Sequence, residues 1–171
     1  MKMYFDRTAL ASNIGWVVSP GIELVPVGTS ICYMSANDDN KVYQRYASEH
    51  DLRFIFEDNI PEIDFFAVPQ LDVFARNSNG GFFATLGGET DIESMDAAIC
   101  FISKERVCFT IAPNLKEFMQ KIDSKCDWMF ESPETEGVIL YPSKETAKSE
   151  IEIVEMPDAN INFDEFRKDE G

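Results

Sequence analysis

The 171 residues carry 31 Asp and Glu against 15 Lys and Arg, a net charge of −16 with a pI near 4.3, and a field of that sign repels phosphate backbones and anionic lipid. Nucleic acid and membrane surfaces are therefore not the expected targets; a basic protein is, unless the charge serves solubility alone. With 44% hydrophobic residues and 14 Phe, the chain can bury enough apolar area to fold, and its length fits one domain spanning residues 1–171.

The first thirty residues, punctuated by Gly15, Pro20, Gly21, Pro26 and Gly28, read as short strands or irregular packing. Residues 35–40 form a turn-and-cap cluster. Asn40 is placed to cap a helix over 41–50, in which Val42, Tyr46 and, less regularly, Tyr43 recur at helical spacing. Residues 52–56 alternate as a strand, ended by 57–61, and a loop is expected through Pro69. Residues 71–76 and 82–86 form a hairpin around 77–81, a turn of residues that tolerate positive φ.

A second hairpin joins 97–102 to 107–111. With a two-residue turn at Lys104 and Glu105, Cys100 faces Phe109 and Phe101 faces Cys108, which sets the two cysteines on opposite faces. A three-residue turn would bring them into register, and sequence does not fix the turn length. The clearest helix opens at Asn114, three residues before Glu117 as in a capping box, with Leu115, Phe118, Met119 and Ile122 forming one apolar face. An acidic loop follows over 131–137, then two strands at 138–141 and 151–154 separated by a polar stretch. The last dozen residues are expected to fray.

Nothing at the N-terminus has the apolar run of a signal peptide, and no segment approaches ~18 consecutive apolar residues, so a cytoplasmic protein is expected. The cysteines, Cys32, Cys100, Cys108 and Cys126, contain no CxxC pair and fit small core residues in a reducing compartment.

Chemistry is hard to find. Proton transfer near neutral pH usually recruits histidine, and the sole His50 lies between Glu49 and Asp51, where it reads as a solvated helix end. No nucleophile elbow accompanies it. Cysteine and histidine spacing does not suit zinc. The acidic clusters 38–40 and 89–93 lack the EF-hand pattern, so no metal site and no cofactor are expected. Gly80-Gly81 and Gly87-Gly88 read as turn glycines because no phosphate-loop signature follows them. What remains is interaction surface: Phe65 and Phe66 beside Asp64, and Trp128 and Phe130 beside Glu131, have the makings of hot spots rimmed by charge, or else belong to the core.

From Ile63 to Ile122 the chain runs through Phe65-Phe66-Ala67, Phe74-Ala75, the 77–81 turn, Phe82-Phe83-Ala84, the strand 98–102, and Ile111-Ala112-Pro113-Asn114-Leu115-Lys116-Glu117-Phe118. This order resembles the SUKH superfamily of glucan-synthesis regulators and bacterial immunity proteins, in which an apolar strand, an Ala and a Leu-x-Glu-Phe helix close the sheet. The family's N-terminal helix with its Leu-Pro step is not found, and residues 131–171 form a longer, acidic C-terminal extension. The resemblance implies an α+β domain with a largely antiparallel sheet of five to six strands and flanking helices. It also implies a non-enzymatic role, in bacteria typically the neutralisation of a toxin, often a nuclease.

Charge and resemblance converge on a basic partner such as a nuclease toxin domain, which an acidic protein would meet with steered association. The pool of contact residues is Asp38, Asp39, Glu89, Asp91, Glu93, Glu131, Glu134 and Glu136. A scaffold or regulatory module of the same fold, and a carboxylate- or metal-dependent enzyme, are the alternatives.

Overall fold

The structure is a computed structural model and describes residues 1–6, 20–87, 97–124 and 132–155. It is α+β. The main sheet has six strands: β3 (Thr29–Ile31), β6 (Leu71–Arg76), β7 (Phe82–Leu86), β8 (Ile99–Ile102) and β9 (Cys108–Ala112) in that order, with β4 (Arg53–Phe54) beside β3 on the outer edge of β6. Only the β3–β6 pair is parallel. A parallel sheet of β1 (Lys2–Asp6), β2 (Glu23–Val27) and β11 (Ile153–Val154) and an antiparallel ribbon of β5 (Phe66–Val68) and β10 (Ile139–Tyr141) complete the strands. The helices among the described residues are α1 (Lys41–His50), α2 (Leu115–Asp123) and α3 (Lys144–Glu150).

Side chains alternate along a strand, so each strand of the main sheet serves two cores. One face carries Phe74, Phe83, Phe101 and Ile111 beneath Tyr46 of α1 and Phe118 and Ile122 of α2. The other carries Leu71, Val73, Ala84, Cys100 and Ile102 against Phe65, Ala67 and Leu140. The ribbon's far face, Phe66, Val68 and Tyr141, packs on Val27, Tyr4 and Ala147. Phe66, Ala67 and Val68 are thus buried on both sides, in a stretch where a loop was expected.

Both predicted helices form where the sequence places them. Asn40 Oδ1 accepts from Val42 N–H at 2.9 Å, and Asn114 Oδ1 from Glu117 N–H at 2.9 Å. On α1, however, Tyr43 packs edge-on to Phe54 and Phe56 at 5.2 and 5.5 Å, while Val42 is 55% exposed. The polar stretch after β10 is helical: Ser143 caps α3 through Thr146 N–H at 3.2 Å, and the Lys144 Nζ bonds to buried Asp6 and to Glu155 at 2.5 and 2.7 Å tie this end of the chain to β1. Partial burial disfavours the Lys144 ammonium, but these two carboxylates hold its pKa above the usual value.

The second hairpin takes the three-residue turn of the two that the sequence left open. Ser103 N–H donates to Val107 O at 2.8 Å, so the loop has three residues, and Ile102 faces Cys108 while Cys100 faces Thr110. Such a loop needs a left-handed residue, here Arg106 at φ 64°. Arg106 is held by Asp64 at 2.6 Å and stacks 5.3 Å from the rings of both Phe65 and Phe82, contacts distant in sequence. Cys100 and Cys108 therefore share a face as hydrogen-bonded thiols, the bond raising the pKa of Cys100 and lowering that of Cys108.

Gly81 is required by close approach: a Cβ there would lie 2.5 Å from the Phe101 ring. Phe118, 1% exposed, meets Phe83 at 5.6 Å and Phe74 at 6.1 Å. Phe118→Ala should cost about 3–5 kcal/mol and lower Tm by roughly 10 °C, measured by thermal unfolding; a shift of a degree or two would mean that α2 is not anchored through this ring.

Candidate protein-binding surface

Between β3 and β4 the chain builds a charged corner. Met34 bridges to Phe56, with Met34 N–H donating to Ile55 O at 3.0 Å and Glu57 N–H to Met34 O at 2.9 Å. This sets the 57–59 turn beside a single 3-10 turn, Ala36–Asp38, which Ser35 Oγ caps by accepting from Asn37 N–H at 3.3 Å. Glu57 Oε1 accepts from Ala36 N–H at 3.2 Å, a carboxylate placed where the exposed amides of a helical start favour one. Asp38, Asp39, Glu57 and Asp58 are all exposed here.

The segments adjoining this corner carry large apolar side chains in water. Tyr33 is 56% exposed, Val42 55% and Ile60 46%. Exposed apolar groups and exposed carboxylates in adjoining segments match the composition of a protein-binding hot spot, where burial supplies affinity and charge supplies rate.

The sequence-predicted acids separate. Asp38 and Asp39 lie in this corner. Glu134 and Glu136 are exposed at the far edge of the sheet, where Glu134 bridges to Phe109 of β9, itself four strand spacings of about 4.8 Å from β3, or roughly 19 Å. Glu89, Asp91, Glu93 and Glu131 lie outside the described residues, as do Trp128 and Phe130. Phe65 and Phe66 are 6% and 8% exposed and belong to the core, because β5 is covered on both faces. Sequence reasoning passed over Glu57, Asp58, Tyr33 and Ile60. The link between 34 and 56 is a tertiary bridge, and no local signal announces it.

His50 is not a solvated helix end: its imidazole is 9% exposed and lies 5.9 Å from the Tyr46 ring. Cys32 is pushed up to about 11 by burial and then by the Asp72 charge, so it is a thiol rather than a nucleophilic thiolate at neutral pH. Among the described residues no group of three or more His, Cys, Asp or Glu side chains could hold a metal ion, and no helix is long and apolar enough to cross a membrane.

The surface has two concavities. One, of about 590 Å³, is an open dish along the exposed side of α2 lined by Asn114, Glu117, Lys121 and their neighbours. The other, of about 150 Å³, lies between α1 and β4. Below it, Asp51 at φ 51° ends α1 and accepts from Ser78 N–H and Oγ at 3.0 and 2.6 Å and from Arg53 Nε at 3.2 Å.

No protein-family model, curated protein or solved structure matches the chain. The site therefore has to be read from its own residues.

Partial burial opposes ionisation of Asp51, but the Ser78 bonds and Arg53 outweigh it and hold its carboxyl below 3.8. A depressed folded-state pKa adds stability above the unfolded value and loses it as pH falls below 3.8 toward the folded one. Asp51→Asn should lower Tm at pH 7 and narrow the gap from wild type as pH drops through that window; parallel Tm curves from pH 7 to pH ~2.5 would show that the carboxylate charge contributes nothing.

Proposed function

We propose that this chain is a non-enzymatic protein-binding domain of SUKH type, an immunity protein that neutralises a basic toxin domain such as a nuclease. The observation that carries this reading is the corner where Met34 bridges to Phe56 and Glu57 bonds to Ala36, bringing exposed Asp38, Asp39, Glu57 and Asp58 together, with exposed Tyr33, Val42 and Ile60 in the adjoining segments. A nuclease cleft is basic because it must hold phosphates, and an acidic surface on a chain of net charge −16 is drawn to it over several ångströms before contact. Strand β9, ending in Ala112 and followed by the Asn114-capped α2, agrees with the closing motif of the resembled family. The domain acts in the cytoplasm, where Cys32, Cys100 and Cys108 stay reduced.

The partner to test is the product of the adjacent gene, or failing that a basic nuclease domain, by stopped-flow and equilibrium titration at low and high salt. Replacing Asp38 and Asp39 together by Asn should slow association about tenfold at low salt and far less at high salt, with Tm nearly unchanged. Tyr33→Ala should act on dissociation. Association that is indifferent both to salt and to these acids would refute the assignment of this corner.

A further inference from the structure

We infer that the groove between α1 and β4 binds a carboxylate carried on a short apolar or aromatic stem. This goes beyond the acidic-corner reading and does not depend on it. Arg53 and Arg76 stand directly opposite each other on β4 and β6, and both line the groove. Like charges at directly opposed strand positions repel. Although the chain has 31 acids for 15 bases, the Arg76 guanidinium has no ion pair or hydrogen bond among the described residues. Arg53 donates through Nε alone, to Asp51 at 3.2 Å, and its terminal nitrogens have no partner among the described residues. Asp51 is itself fixed by Ser78, so Arg53 is oriented before any ligand arrives.

The remaining lining defines the ligand. Tyr43, Phe54 and Phe56 supply an aromatic floor, Gln44 a side-chain amide, and Asp39 a single carboxylate on the rim. A volume of about 150 Å³ is below the ~300–1,000 Å³ of ordinary cofactor pockets and holds a fragment, not a nucleotide. Guanidinium forks match a carboxylate in two parallel hydrogen bonds. The protein's negative field opposes a dianion such as phosphate about twice as strongly as a monocarboxylate. The carboxylate comes either from a free small acid or from an acidic side chain of a polypeptide, which offer the same group.

The test is an NMR titration of the ¹⁵N-labelled full chain with benzoate, with the peptide acetyl-Gly-Glu-Gly-amide, and with inorganic phosphate. Saturable shifts at the amides of Tyr43, Gln44, Arg53 and Arg76 are expected with a carboxylate, weakened about tenfold in Arg76→Gln. The unliganded variant should have an equal or higher Tm, because the like-charge pair is relieved. Binding of benzoate alone would support a free acid as the source, and peptide binding at least as tight would support a partner's side chain. The inference is overturned by the absence of saturable shifts, by phosphate binding as tightly as either carboxylate, or by a fall in Tm in unliganded Arg76→Gln.

Discussion

Burial of the β5–β10 ribbon on both faces is the constraint from which the rest of the architecture follows. Ala67 and Leu140 point into the core beneath the main sheet, while Phe66, Val68 and Tyr141 point into the core shared with β1, β2 and α3. A strand covered twice has no solvent side on which to place polar residues, hence the continuous run Phe65-Phe66-Ala67-Val68. Its backbone is satisfied in the same place: Gly28 N–H donates to Ala67 O at 2.8 Å and Thr29 Oγ1 to Phe65 O at 3.1 Å. Gly28, at φ 113°, carries the chain from β2 in one sheet to β3 in the other.

With β3 fixed on β6, the segment after it must run along the sheet edge, and the bridge from Met34 to Phe56 is the outcome. The proposed corner and the proposed groove both rest on that edge. Among the described residues the corner acids Asp38, Asp39, Glu57 and Asp58 form no ion pair with Arg53 or Arg76, and Arg53 is held by Asp51 instead.

Much of the fold was legible in the residues. The cap at Asn114 and the periodicity of Leu115, Phe118, Met119 and Ile122 place the start and the buried face of α2, and the small polar residues of 77–81 place the first hairpin. These signals are local. The misses are tertiary. Phe66–Val68 looked like loop because a three-residue strand carries no period, and residues 144–150 looked like a polar connection because only Ala147 is buried. The turn at Arg106 could not be sized because its left-handed backbone is held by Asp64, Phe65 and Phe82, forty residues or so upstream in part. For the candidate site, the acids Asp38 and Asp39 were legible as exposed turn residues. Their separation from Glu134 and Glu136, and the opposition of Arg53 to Arg76, are properties of sheet order and register.

The pairing of β1 with β11, and of β5 with β10, has a bearing on how the protein is made. β3, β6, β7, β8 and β9 come together from residues 29–112, but the ribbon that lines the underside of the sheet lacks its second strand until residue 141 has been synthesised, and the parallel sheet lacks its third until residue 154. A ribosome elongating at about 5–20 residues per second holds the nascent chain for some seconds with one face of the main sheet incompletely covered. During that interval the apolar residues of β5 are available to chaperones or to other nascent chains. Completion is therefore governed by the last segments to emerge, and a transcript truncated before the α3 region would yield a polypeptide that carries the acidic corner and the groove but cannot seal its core.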